Sequence, residues 1–384
     1  VIPRRARISV SYFFALLGIV SGVWAARIPT VKQSLHLSDG QLSLGLLAVA
    51  VGLVTGMQFA GRITDRLGSA RVVVPAGATC ALAMIPPGFA PNLGVLIATL
   101  FLWGLLNASL DVSMNTHAVE VERAYGRPLM SSFHGMFSAG GLLGAGVGAL
   151  FAWLEVSPGL TFAAVTVPLA LLAVLAGRAL LPSVPVHHEG GRRKRVSWHG
   201  KVLFMGAMAF AGLLGEGAAG DWSAVYLHED LGTGTGIAAI GFAVFSTAMT
   251  VGRFAGDRLA LRFGPVRLVR WSGLLAAIGL GGALLAAEPI AAMAGFGLFG
   301  LGLATLVPQV FSAAGNHDRA RAGEAIAQVA TLGYAGLMLG PVIIGGAAEL
   351  VGLPLALGIP VALCLFMSLS AVSLRPREPA AFTK

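Results

Sequence analysis

The sequence predicts an all-α membrane protein with twelve transmembrane helices in two pseudo-symmetric six-helix bundles. Three observations predict it. The 384 residues are 56% hydrophobic and 11% charged, with mean hydropathy +0.81, whereas soluble domains are about a quarter charged. Apolar runs near the ~20 residues needed to cross a bilayer follow one another along the whole chain. A short charged signature bounded by glycines also appears twice, half a chain apart.

The runs lie at 8–26, 41–61, 72–88, 93–117, 130–153, 159–181, 202–225, 236–256, 265–287, 289–313, 324–348 and 353–374. Exposed backbone polar groups are too costly in lipid for irregular spans, so each is expected to be a helix. The first run follows Val1-Ile2-Pro3-Arg4-Arg5-Ala6-Arg7, continues past Trp24 and lacks a small-residue cleavage site. It reads as a membrane helix and not as a removable signal. The 53 glycines suit close helix packing, since lipid removes the hydrophobic drive between helices. Cys80 and Cys364 fall in separate apolar runs, as small packing residues and neither a disulfide nor a metal site.

The pI near 10.4 raises nucleic acid as a partner, but the distribution of charge excludes it. With twelve spans and a cytoplasmic N-terminus, only Arg27 and Lys32 of the 26 Lys and Arg fall outside, leaving 24 inside. That is the positive-inside bias. Six spans precede 182–200, which holds two prolines, His187-His188, a glycine pair and Arg192-Arg193-Lys194-Arg195. It reads as a cytoplasmic linker between an N-terminal bundle, 1–181, and a C-terminal bundle, 201–384. It is either a solvated tether or a contact for anionic lipid. A shift of 196 places Ser138-Ala139-Gly140 and Gly144 on Tyr334-Ala335-Gly336 and Gly340, and a shift of 198 places Trp24 on Trp222. Parallel repeats of six spans mark a transporter with its site near the midplane.

The repeated signature is Gly61-Arg62-Ile63-Thr64-Asp65-Arg66-Leu67-Gly68, with Arg71 trailing, and Gly252-Arg253-Phe254-Ala255-Gly256-Asp257-Arg258-Leu259, closing at Gly264. Each copy reads as a loop between spans. Its glycines allow tight turns and close approach. Its aspartate can pair with a base or sit against a helix N-terminus. Contacts present in one conformation and absent in another act as a latch. Gly61, Asp65, Arg66, Gly68, Arg71, Gly252, Asp257 and Arg258 are the latch candidates; the alternative is a solvated turn.

This pair resembles the loop signature of the major facilitator superfamily of secondary transporters. The resemblance implies that superfamily's fold and alternating access. The expectation is a multi-pass monomer of the cell (inner/cytoplasmic) membrane, with both termini cytoplasmic. Its partners are the bilayer, a small-molecule substrate and protons, with no cofactor, metal, enzyme activity or nucleic acid.

Ionisable groups at membrane depth cost ~2.5–3.5 kcal/mol each and are functional candidates. Asn107, Asp111 and Asn115 share one helix face at i, i+4 and i+8. Glu216 lies about 14 residues into its span, or ~21 Å. Asp221, five residues on, points about 140° away. His134 starts the fifth span at a depth close to Asp111 and either relays a proton or bonds to backbone. Proton-coupling candidates are therefore Asp111, Glu216, His134 and Asp221. Cavity candidates are Trp24, Arg27, Asn107, Asn115, Trp222, Gln309 and Tyr334. For Arg27 the choice is snorkelling to the interface or binding an anionic group, with snorkelling favoured. For the two tryptophans it is stacking on substrate or an interfacial belt. The Gly336, Gly340, Pro341, Gly345 and Gly346 cluster reads as tight packing or a hinge.

Leu110-Asp111-Val112-Ser113-Met114-Asn115 resembles the fourth-helix motif of fucose permeases, whose acid takes part in proton-coupled sugar uptake. Trp24-Ala25-Ala26-Arg27-Ile28-Pro29, the Asp111–Asn115 run and Met130-Ser131-Ser132-Phe133-His134 are similar to the YbjJ-like branch. Fucose permeases also carry a first-helix acid where this chain has Ala25. The resemblance implies proton-coupled import of a small polar, sugar-like solute. The competing readings are a drug or metabolite exporter working as a proton antiporter and a receptor without turnover. Against the exporter, the fourth span has no arginine and Ala145 follows Gly144 where a proline would fall. There is no phosphate loop with a lysine, so ATP is not the expected energy source.

Overall fold

The computed structural model describes residues 3–183 and 200–375. All regular structure among them is helical: α1 Pro3–Ser34, α2 Asp39–Leu67, α3 Ser69–Leu82, α4 Leu93–Tyr125, α5 Met130–Trp153, α6 Pro158–Gly177, α7 Gly200–Val225, α8 Thr235–Ala286, α9 Pro289–Leu303, α10 Leu306–His317, α11 Ala322–Val351, α12 Leu353–Ala356 and α13 Gly358–Ser370. The expected linker, 182–200, lies outside the described residues apart from Pro182, Ser183 and Gly200.

The helix starts follow from their capping residues. Ser38 and Gln41 form a reciprocal capping box at α2, Asn92 caps α4 and Ser157 caps α6 with Pro158 in the first turn. Glu288 does the same for α9 ahead of Pro289. These side chains satisfy amide donors that a helix start leaves open. At its other end α4 stops on Gly126, in the left-handed region at φ +66°, where glycine is the usual residue.

Eleven helices among the described residues are long and apolar enough to cross a membrane, against twelve expected. The difference lies in α8. Its 52 residues would extend ~78 Å, more than twice the ~30 Å hydrocarbon core. Two helices meet there without a loop, at Gly264, whose φ of 74° and ψ of 160° are not helical. Gly68, at φ 86°, makes the corresponding break between α2 and α3. Only glycine takes these angles without strain.

The chain forms two compact units. Unit 1 comprises Val1–Leu129, Phe133–Arg193 and Ala320–Ala327; unit 2 comprises Met130–Ser132, Lys194–Arg319 and Gln328–Lys384. Within unit 1, α1 and α5 approach to backbone contact. β-carbons added at Gly18, Gly22, Gly140 and Gly144 would strike the carbonyls of Phe137, Gly141, Ala15 and Ile19. Within unit 2 the Gly336 position meets the Phe210 carbonyl in the same way. Ser9 and Tyr12 tie α1 to the Ala176 and Leu169 carbonyls near α6. Cys80 and Cys364 are free and buried, as packing residues.

Candidate functional site

The charged signatures are helical rather than loops. Gly61 to Leu67 finish α2, and Gly252 to Phe263 lie inside α8. The chain turns only at Gly68 and Gly264. Asp65 lies three residues before its turn glycine and Asp257 seven before its own, one helical turn further in.

That offset leaves the two acids doing the same thing. Asp65 accepts from Gly323 N–H at 2.8 Å and Glu324 N–H at 3.0 Å. Asp257 accepts from Ser131 N–H at 2.9 Å and Ser132 N–H at 3.1 Å. In each case the carboxylate spans the second and third residues of a helix, α11 for Asp65 and α5 for Asp257. Two open donors are satisfied, and the negative charge faces the positive end of the helix dipole. Each acid thus holds a helix start that is distant in sequence but belongs to its own unit, Asp65 with Gly323 and Glu324 in unit 1 and Asp257 with Ser131 and Ser132 in unit 2. Glycines allow the approach: a β-carbon at Gly61 would lie 2.7 Å from the Gly323 carbonyl oxygen, and one at Gly256 2.5 Å from Ser131 Oγ. Gly252 packs instead on Ala304. Arg66, Arg71 and Arg258 are exposed, while Arg62 stands 3.8 Å from Glu324.

In α4, Asp111 is 4% exposed and Asn115 fully buried. Asn115 Nδ2 donates to the Asp111 carbonyl at 2.8 Å and to Asp111 Oδ1 at 3.1 Å. The i, i+4 spacing thus forms a buried carboxylate–amide pair. Asn107, one turn earlier, is half-buried. The His134 ring stands edge-on to Phe14, centroids 5.2 Å apart.

In unit 2, Glu216 Oε2 accepts from Arg253 Nη2 at 3.1 Å. Arg253 is 5% exposed, unlike the other arginines of the two signatures. Nothing about an isolated arginine in a charged signature marks it as buried. The available signal was its place one helical turn before Asp257, deeper along the same helix. Asp221 is exposed and does not share the Glu216 pair, as the 140° separation required. Trp222 borders Gly345, Gln309 is buried and Tyr334 half-buried.

Arg27 does not snorkel. It is 1% exposed, and its Nη2 donates to the Val156 carbonyl between α5 and α6. Trp24, one turn earlier, packs toward Phe162 of α6 at 6.0 Å. This end of α1 therefore faces into unit 1. Replacing Arg27 with alanine is expected to cost ~1.5–3 kcal/mol, the range for a hydrogen bond from a charged group. It should lower the melting temperature and leave the half-saturating concentration for transport unchanged. A changed half-saturation with an unchanged melting curve would return Arg27 to the substrate path.

A further polar cluster had no sequence signal. His117, fully buried, accepts from Leu181 N–H at Nε2, 3.2 Å. Its Nδ1 stands 2.8 Å from Ser69 Oγ and 3.1 Å from Glu120 Oε2. Ser183 Oγ completes the group, accepting from Ala70 N–H at 2.8 Å. Serine, histidine and glutamate together suggest a nucleophile and base. Here, however, Ser69 and Glu120 share one ring nitrogen and backbone occupies the other, so no nitrogen is free to take the serine proton. The cluster instead fastens the end of the first six-helix stretch to α3 and α4. Glu122 likewise holds the start of α5, accepting from Leu129 N–H at 2.8 Å.

The sequence pattern of the Major Facilitator Superfamily matches residues 8–335. An uncharacterised MFS-type transporter of Yersinia pestis is 35% identical over 370 residues, covering 96% of this chain and 95% of the relative. The outward conformation of FucP, the E. coli fucose:proton symporter, superposes with a TM-score of 0.82 at 16% identity, over 98% of this chain and 99% of FucP. The proton:xylose symporter XylE gives 0.79 at 14% identity, over 96% and 94% of the two chains. At these identities the structural likeness shows the fold alone. A family match over most of the chain and a relative 35% identical over 96% of it lead to one conclusion: the chain belongs to the major facilitator superfamily.

Proposed function

We propose that the chain is a secondary active transporter that works by alternating access and takes up a small polar, sugar-like solute together with protons. The observation that carries this reading is the pair of carboxylate clamps, Asp65 on α11 and Asp257 on α5. Bonds that hold a helix end by a single side chain can break and re-form without unfolding either helix, as a latch requires. The buried Asp111–Asn115 pair supplies a carboxylate able to carry the proton, with Glu216, His134 and Asp221 as further candidates. Asn107, Trp222, Gln309 and Tyr334 remain candidates for the substrate path. The naming of FucP and XylE as proton symporters of fucose and xylose supports the sugar-like class. Export by proton antiport and a receptor role without flux are the alternatives. Counterflow in proteoliposomes across sugars, nucleosides, amino acids and common drugs tests all three. Exchange of a sugar supports import, exchange of drugs alone favours the exporter, and no flux of any solute favours the receptor.

The proposal includes twelve crossings, with α8 counted as two around Gly264. The bundles are 1–181 and 201–384, and the linker 182–200 and both termini lie on the cytoplasmic face of the inner membrane. In a cysteine-free background, a cysteine at exposed Pro91 is expected to react with an impermeant thiol reagent in intact cells, and one at His188 only after lysis. The reverse pattern would invert the topology.

A further inference from the structure

Four residues separate Arg253 from Asp257, one turn of α8, so both side chains leave the same face of that helix. Arg253 holds Glu216 of α7 at 3.1 Å, and Asp257 holds the first turn of α5 through Ser131 and Ser132. The backbone joining them is closely confined. A β-carbon at Gly252 would lie 2.6 Å from Ala304 Cβ, and one at Gly256 would meet Ser131 Oγ and, at 3.1 Å, Thr305 Cγ2. A turn held on both sides shifts as a unit, because close-packed interiors transmit displacement. Among the elements packed on α7, α9 and α13 contain no charged residue, and α10 has only His317, its last. The Tyr226–Asp230 turn that continues α7 carries His228, Glu229 and Asp230, and α11, which meets α7 at Gly336, carries Glu324 and Glu349 near its two ends. The nearest acid on α7 itself is exposed Asp221. On the α7-facing half of α8 the remaining charges are Asp257, Arg258 and Arg262. The other clamp lacks this arrangement: four residues before Asp65 stands Gly61.

We propose that Arg253 is a positioning residue that couples the charge on Glu216 to the Asp257 clamp on α5. The inference rests on the proton-coupled reading above and assigns its second half a sensor. With Glu216 ionised, the ion pair holds the 253–257 turn in its clamped position. A proton added to the Glu216 carboxylate cancels the charge that holds Arg253; the pair separates, the turn relaxes and Asp257 loosens its grip on Ser131 and Ser132. The step adds one proton to one oxygen and breaks no covalent bond.

The test reads the clamp itself, without substrate or gradient. Full-length protein with Cys80 and Cys364 replaced carries a cysteine in place of Ser131, a buried position. Its alkylation rate in nanodiscs is normalised to a cysteine placed at exposed Arg127, which removes the intrinsic pH dependence of thiols. Glu216→Gln and Arg253→Gln should each raise the normalised rate about tenfold, the scale set by losing one charge-assisted contact. The double substitution should add nothing further, because residues acting through one interaction are not additive. Arg253→Lys and the exchanged pair Glu216→Arg with Arg253→Glu should restore the original rate. Acidification should speed labelling in the parent protein and leave Glu216→Gln unchanged. The proposal is overturned if Asp257→Asn raises the rate while the Glu216 and Arg253 single substitutions do not. It is equally overturned if these two substitutions add independently or the exchanged pair fails to restore the clamp. Absence of gradient-driven uptake with these labelling results intact would defeat the proton-symport reading instead.

Discussion

Asp111→Asn is expected to abolish proton-driven accumulation while leaving exchange across the membrane largely intact. Asparagine matches the shape of aspartate and resembles its protonated form, so the step that requires loss of the proton is removed. The local structure should survive. Asn115 donates to the Asp111 main-chain carbonyl as well as to Oδ1, and an amide oxygen can replace the carboxylate oxygen as acceptor. A gradient of one pH unit supplies ~1.4 kcal/mol per proton, enough for about a tenfold accumulation ratio. The variant should bring that ratio to unity, with counterflow of the same solute retained. The measurement pairs gradient-driven uptake with counterflow in proteoliposomes, using the solute found by the counterflow screen. Full accumulation by Asp111→Asn would transfer the proton to another group. Glu216 would then come first, since it is the proton-coupling candidate that the structure pairs with the buried arginine Arg253.

The fold class was legible because lipid imposes a simple rule on sequence. Apolar runs mark the helices, and the spacing of Asp111 and Asn115 fixes their shared face before any coordinates are known. The extent of the helices near the signatures was not legible. Charged residues in Gly61–Leu67 and Gly252–Phe263 look like loop composition, yet these segments satisfy their backbone by remaining helical, and one left-handed glycine makes each turn. Hydropathy ends a span where charge begins, whereas hydrogen bonding continues. Long-range partners were the least legible. The Arg253–Glu216 pair joins residues 37 apart, and the Asp65 clamp joins residues 258 apart or more. Single-residue patterns hold no record of such pairings. The His117 cluster shows the same limit: its serines and glutamate come from three separate segments, and only packing brings them to one ring.

Asp65→Asn and Asp257→Asn are each expected to move the balance between inward- and outward-open states by about tenfold or more, with the fold intact. Each carboxylate gives one oxygen to each of two successive amides, at 2.8 and 3.0 Å for Asp65 and 2.9 and 3.1 Å for Asp257. In asparagine one of those oxygens becomes an NH2 group facing an N–H donor, so a bond is replaced by a repulsion. The negative charge at the helix start is lost as well. Hydrogen bonds to charged groups contribute ~1.5–3 kcal/mol, and charge at a helix terminus adds ~0.3–1 kcal/mol. A factor of ten corresponds to ~1.4 kcal/mol, so either substitution exceeds it if the clamp is made in only one state. Only such differential contacts shift a conformational equilibrium. The clamps share no residue, so the double substitution should shift the balance by the product of the two single effects. The arginines of the same signatures provide the contrast. Arg66, Arg71 and Arg258 are exposed, and exposed charges contribute at most ~1 kcal/mol. Replacing them with glutamine should move the balance severalfold at most. Spin-label distance distributions across the clamped ends of the helices give the populations, and thermal melts confirm folding. A balance unmoved by Asp65→Asn would mean that the cap on α11 persists in both states, and the latch role would then have to be abandoned for Asp65.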